Sequence, residues 1–240
     1  MYKKIILFLY LLIESLIATP VDFNFEGSLT ISEDKLIVSL GSGCDTALTL
    51  RDCGLRNVAF PFDWLVTDSH EKLILLLDDN FEFFTNKTMF SPLEDPRISD
   101  HPNCLKNNYY DILFYHEGST LYEWSNAEKY EEQLNRLKDK YDRRIDRFRE
   151  LSSYPGEVYF IRNFVSSNPI QANCHSELAT ELKNALRRFF PDLNFFLVIV
   201  TYKDVDAPAI SSLEGVMEFR MDRPPWRKEY EKMYNTLLER

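Results

Sequence analysis

The run Gly41-Ser42-Gly43-Cys44 joins a thiol to unusually free backbone, the pairing a covalent attack on a carbonyl requires. A thiolate is the attacking species, and a helix N-terminus favours it through the helix dipole and unpaired N–H groups. The glycines let a substrate approach the main chain, and N–H groups near Gly43 and Asp45 could hold an oxyanion. Read on its own, the pattern equally suits a buried or disulfide-bonded cysteine. A nucleophilic thiol needs a base, and His116 is the first choice, ahead of His175. An acid to orient the imidazole could be Asp63 or Glu117, although Asp63 also suits a turn cap within its aromatic segment. Arg51 and Arg162 could each face an anionic group or pair with a surface carboxylate, and Trp64 could line a recognition surface.

Those side chains need elements to carry them. Lys35–Leu40 is a short β-branched run, the mark of a buried strand, and it stops at Gly41. From Asp45, the residues Ala47, Leu48, Leu50 and Leu55 trace a helix face ended by Gly54. Cys44 is therefore expected at a strand–turn–helix junction. Helices are expected over 69–79, 126–151, 176–190 and 225–240, and strands over 110–115, 157–164 and 195–202. Residues 85–110 carry Pro92, Pro96 and Pro102 and read as an irregular loop. The alternation predicts an α/β layered domain with a largely parallel sheet flanked by helices, whose sites gather at strand C-termini. Arg143, Arg144 and Arg147 read as a solvated helix face.

The formal charge of −10 argues against nucleic acid as a partner, because phosphate contacts need clustered Lys and Arg. Lys3 and Lys4 ahead of the apolar run Ile5–Ile13, with Ala18 following, predict a signal peptide over 1–18 and a single domain over 19–240. The chain is then secreted or otherwise exported, with no stable membrane insertion after cleavage, a retained anchor being the alternative. Cys44 and Cys53 at opposite ends of one helix stand roughly 13 Å apart along its axis, too far for a disulfide. Apart from the adjacent Cys174-His175, no Cys or His pair has ligand-like spacing, so neither metal nor cofactor is expected.

The block Ser39-Leu40-Gly41-Ser42-Gly43-Cys44, with Ala47, Leu50-Arg51, Gly54-Leu55-Arg56 and Pro61-Phe62-Asp63-Trp64, resembles a little-characterised family of papain-like cysteine peptidases. Phe114-x-His116, the Tyr141–Phe148 helix segment and the strand Val158–Arg162 extend the resemblance over roughly residues 36–202. It implies Cys44 as nucleophile, His116 as base and a peptide or other acyl substrate. The family tends to follow this histidine with Asp, where this chain has Glu117. Two other functions fit the same residues: acyl transfer to a sugar or another acceptor, and a secreted binding domain without turnover.

Overall fold

The computed structural model describes residues 34–56, 58–94, 103–117, 126–164, 175–203, 209–210, 213–222 and 226–240. In chain order the elements are β1 (Lys35–Ser39), α1 (Asp45–Asp52), α2 (His70–Asp78), β2 (Phe90–Glu94), β3 (Asn103–Asn107), β4 (Ile112–Phe114), α3 (Ala127–Glu150), β5 (Glu157–Asn163), α4 (His175–Phe189), β6 (Phe195–Tyr202), β7 (Val216–Met221) and α5 (Trp226–Leu238). The expected leader over 1–18 lies outside the described residues.

The fold is α/β. Strands β1-β5-β6-β7 form a four-stranded sheet in that order, each neighbouring pair parallel. Alternate residues of each strand enter opposite cores. Leu36, Val38, Val158, Phe160, Leu197 and Ile199 face a cluster completed by α2, α3 and α4. Ile37, Tyr159, Ile161, Val198 and Val200 face a second cluster, with Leu50 of α1 and Tyr230, Met233, Tyr234 and Leu237 of α5. Burial on both faces is why these strands read as unbroken apolar runs. Helices α2 and α3 start where a side chain caps them, Ser69 Oγ accepting from Lys72 N at 3.2 Å and Asn126 Oδ1 from Lys129 N at 3.1 Å. The apolar stripe of α3 is buried through Leu134, Leu137, Tyr141, Ile145 and Phe148.

Two expectations need correction. The stretch read as loop over 85–110 contains β2 and β3, which pair antiparallel and continue into β4 as a separate three-stranded sheet. His116 therefore follows a strand of the small antiparallel sheet and not one of the parallel sheet. The strand β7 was also absent from the sequence reading. It occupies the edge of the parallel sheet, and its residues Val216–Phe219 are only half-buried.

Candidate functional site

The turn that presents Cys44 is built from both sides. After β1, Leu40 N donates to Ile161 O at 2.8 Å, extending the strand pairing by one residue. The chain then passes through Gly41 at φ +78° and Ser42 at φ +85°. A left-handed serine costs about 1–2 kcal/mol, so something must hold it. Ser42 N donates to Thr67 Oγ1 at 2.9 Å, and Gly41 N to Ser39 Oγ at 3.1 Å. Gly41 has no room for a side chain, since a Cβ would lie 2.8 Å from Thr67 Oγ1 and 3.2 Å from Phe62 O. Gly43 is open by contrast: the nearest atom to a Cβ there is Asp45 Oδ2 at 3.7 Å.

Cys44 is the N-cap of α1 and is half-buried with a free thiol. Its side chain makes no capping hydrogen bond, and its carbonyl accepts Leu48 N at 2.8 Å to start the helix. The thiol was expected to be acidified by the helix terminus. Burial instead pushes it up from its ordinary value, and the adjacent Asp45 carboxylate pushes the same way, against one backbone hydrogen bond that pulls down. The resting group is a neutral thiol at pH 7. Cys53 caps the other end of α1 and is also free, so the two thiols are unpaired as the helix length requires. The inner face of α1 is pinned by α5: Thr49 Oγ1 and Tyr234 OH lie 2.8 Å apart, and Tyr230 OH donates to Asn163 Oδ1 at 3.0 Å. The same Asn163 oxygen accepts Thr46 Oγ1 at 3.4 Å.

His116 lies in a 3-10 turn, Tyr115–Glu117, that follows β4, and it is exposed. Its ring meets the ring of Trp64 edge-on, with centroids 5.6 Å apart. The Arg51 guanidinium sits 5.7 Å from the Trp64 ring centroid, and that of Arg56 5.9 Å from it. Arg51 falls seven residues after Cys44 on α1, two helical turns along the same face. Trp64 thus spans from the helix that begins at Cys44 to His116.

The segment after Trp64 makes the same connection through the main chain. Val66 N donates to Leu113 O and Leu113 N to Val66 O, both at 3.0 Å, three residues before His116. The next residue, Thr67, holds the Ser42 amide. One short segment therefore touches both the cysteine turn and the strand that delivers the histidine. Sequence reading passed over Val66 and Thr67, and nothing in their types marks them.

The two acids named beforehand are engaged elsewhere. Asp63 is fully buried, ion-paired through Oδ1 to the buried Arg56, while Oδ2 accepts the Phe60 amide. It anchors the Phe60–Trp64 turn, the structural alternative open to it from the start. Both carboxylate oxygens of Glu117 accept Lys140 Nζ at 2.8 Å, and its carbonyl accepts Gln133 Nε2 at 2.6 Å. Arg162 also requires correction as a substrate-facing group. Its side chain is completely buried, with NH1 donating to Leu40 O at 2.9 Å and to Thr67 Oγ1, and NH2 to Thr67 O. Burial lowers its pKa to about 9, which still leaves it charged at pH 7. The arginine triplet of α3 divides: Arg143 is exposed, Arg144 stacks on Tyr141 at 4.7 Å, and Arg147 NH1 donates to Ala59 O.

His175, the second histidine weighed as a base, is buried at the start of α4. It and the buried His70, at the start of α2, flank Phe164 with ring centroids at 5.0 and 4.3 Å. Burial lowers the pKa of both, His70 to about 2. Among the described residues, no cluster of three or more His, Cys, Asp or Glu side chains is arranged to hold a metal ion. A surface cavity of about 470 Å³ between Leu77, Asp78, Asn80, Arg149 and Arg188 lies at the C-terminal ends of α2, α3 and α4. Those ends point away from the strand C-termini where Cys44 sits.

A family model described as "putative papain-like cysteine peptidase" matches residues 35–205, which takes in β1 through β6 and every residue of the site. An uncharacterized protein of Acanthamoeba polyphaga mimivirus is 29% identical over 204 residues, covering 79% of this chain and 88% of its own length. No solved structure matches significantly.

Proposed function

This chain belongs to the family described as "putative papain-like cysteine peptidase", and from that premise we propose that it is a cysteine-dependent hydrolase with Cys44 as nucleophile and His116 as base. The observation that carries the reading is the Trp64–Thr67 segment, which contacts the Cys44 turn through Thr67, the Cys44 helix through Trp64 and Arg51, and the His116 turn through Trp64 and Val66.

The elevated thiol supports one form of the mechanism. A preformed thiolate–imidazolium pair requires an acidic thiol, and here burial and Asp45 oppose ionisation. The reaction therefore begins with a neutral thiol, and His116 enters as its base. As the substrate seats, His116 takes the Sγ proton while sulfur bonds to the carbonyl carbon, and the oxyanion faces backbone N–H groups near Gly43 and Asp45. When the tetrahedral species collapses, the bond to the leaving group breaks and imidazolium returns the proton to it, leaving a thioester on Cys44. Water, deprotonated by His116, attacks that thioester and releases the acid and the free thiol. The open backbone at Gly43 suits the approach of an acyl group. Trp64, with the exposed Arg51 beside it, forms a wall on which a substrate side chain can rest.

Export remains part of the proposal, on the strength of Lys3, Lys4 and the apolar run Ile5–Ile13. N-terminal sequencing of chain expressed through a secretory route checks it: a start at Thr19 supports cleavage, and an intact Met1 contradicts it.

The test of the hydrolase reading is release of product from a panel of activated acyl thioesters and peptide esters. Cys44→Ala should abolish turnover, and turnover unaffected by that change would reject the assignment.

A further inference from the structure

Thr67 stands where three constraints meet, and none of them is needed to fill a core. Its Oγ1 accepts from Ser42 N at 2.9 Å and from Arg162 NH1, which occupies both lone pairs. Its carbonyl accepts from Arg162 NH2, while the other Arg162 nitrogen reaches Leu40 O at 2.9 Å. The guanidinium thus joins the last residue before the Gly41-Ser42 turn to the residue that tethers that turn. One position earlier, Val66 brackets Leu113 of the strand leading to His116.

We propose that Thr67, clamped by Arg162, is the positioning residue that registers the Cys44 turn against the His116 turn; this rests on the reading of Cys44 and His116 as nucleophile and base. Ser42 lies in the left-handed region without being glycine, so it relaxes to negative φ unless its amide is held. Such a relaxation would reorient Gly43 and Cys44, the next residues along the chain. Burying a guanidinium is costly even with the Asp68 carboxylate acting on it, and the carbonyls it satisfies both belong to this junction. Arg162 acts by geometry and not by its field on the sulfur, because burial and Asp45 set the state of the Cys44 thiol.

The experiment uses the full chain, with amide hydrogen exchange by NMR and acylation of Cys44 by an activated thioester followed by mass. In the wild type, the Ser42 amide should exchange about tenfold more slowly than that of Gly43, as expected for one hydrogen bond held in a surface turn. Thr67→Val keeps the shape and removes the acceptor. It should erase that protection while Leu40 N, bonded within the strand pairing, keeps its own. It should also slow the acylation step about tenfold at an unchanged half-saturating thioester concentration. Thr67→Ser should restore both. A Ser42 amide that exchanges like Gly43 in the wild type overturns the proposal without any variant having to fold. So does Thr67→Val acylated at the wild-type rate. A wild-type Cys44 that is never acylated rejects the catalytic reading, and the wild-type Ser42 protection, which involves no chemistry, then judges the tether alone.

Discussion

The indole of Trp64 stands edge-on to the imidazole of His116, ring centroids 5.6 Å apart, and its face carries the guanidinium of Arg51 from the helix that starts at Cys44. Neither contact closes a hydrophobic core. Together they place the helix that starts at Cys44 and the turn that carries His116 around one aromatic ring. The ring is itself fixed by the turn that Asp63 and Arg56 anchor below it. The Arg56–Asp63 ion pair is buried beneath the ring, while His116 and Arg51 beside it are exposed.

The two glycines before Cys44 should respond oppositely to a methyl group. Gly41→Ala places a Cβ at 2.8 Å from Thr67 Oγ1 and at a positive φ, and it should destabilise the chain by about 2 kcal/mol or more. Gly43→Ala meets nothing closer than 3.7 Å and has no positive φ. It should leave stability within about 1 kcal/mol of wild type while depressing turnover, since the methyl faces the approaching acyl group. Urea denaturation and thioester hydrolysis of both variants provide the comparison.

Asp45 raises the Cys44 thiol, so removing its charge should lower it. Asp45→Asn should move the inflection of Cys44 alkylation by iodoacetamide to lower pH, and speed alkylation at pH 8. The rate against pH, mapped to Cys44 by peptide mass, is the measurement. An inflection that stays in place or moves upward would contradict the assignment of Asp45 as a neighbour that opposes ionisation.

How much of this was legible beforehand follows from where each signal resides. Strands β1, β5 and β6 were readable because burial on two faces leaves a continuous apolar run, as in Phe195–Tyr202. The junction at Cys44 was readable because β1 ends abruptly in glycine. Strands β2 and β3 were not, since Phe90–Glu94 contains a proline and Asn103–Asn107 is largely polar, and their pairing is settled by partners across the small sheet. Strand β7 hid for a similar reason, with Glu218 and Arg220 alternating along a sheet edge. Thr67 carries no signal at all: its meaning comes from Arg162, 95 residues later in the chain. The acidity expected of the thiol failed because a helix N-terminus was weighed without the burial and the Asp45 charge that accompany it.

Two buried histidines should weaken the fold in acid. Burial, helped by the Arg162 charge and by His175, lowers His70 from 6.5 to about 2. A histidine depressed in the native state contributes stability that is complete above its unfolded pKa of 6.5 and is lost as pH falls from there toward 2. His175 shifts in the same direction. Stability should therefore decline below pH 6.5 by about 1.4 kcal/mol per pH unit through His70, with His175 acting in the same direction. His70→Leu should remove one proton's worth of that slope, read from urea midpoints between pH 7 and pH 4. An unchanged slope would mean that His70 is protonated in the folded chain.

The most direct test of the central claim is the rate at which Cys44 becomes acylated by an activated thioester, followed by intact mass and peptide mapping, in wild type and His116→Ala. The account predicts a single acyl group on Cys44 and none on Cys53, with acylation about a hundredfold slower or worse without the imidazole. Alkylation of the same thiol at pH 10, which needs no base, should be equal in the two proteins. Acylation that proceeds at the same rate without His116, or that falls on Cys53, would contradict the assignment of Cys44 and His116 as nucleophile and base.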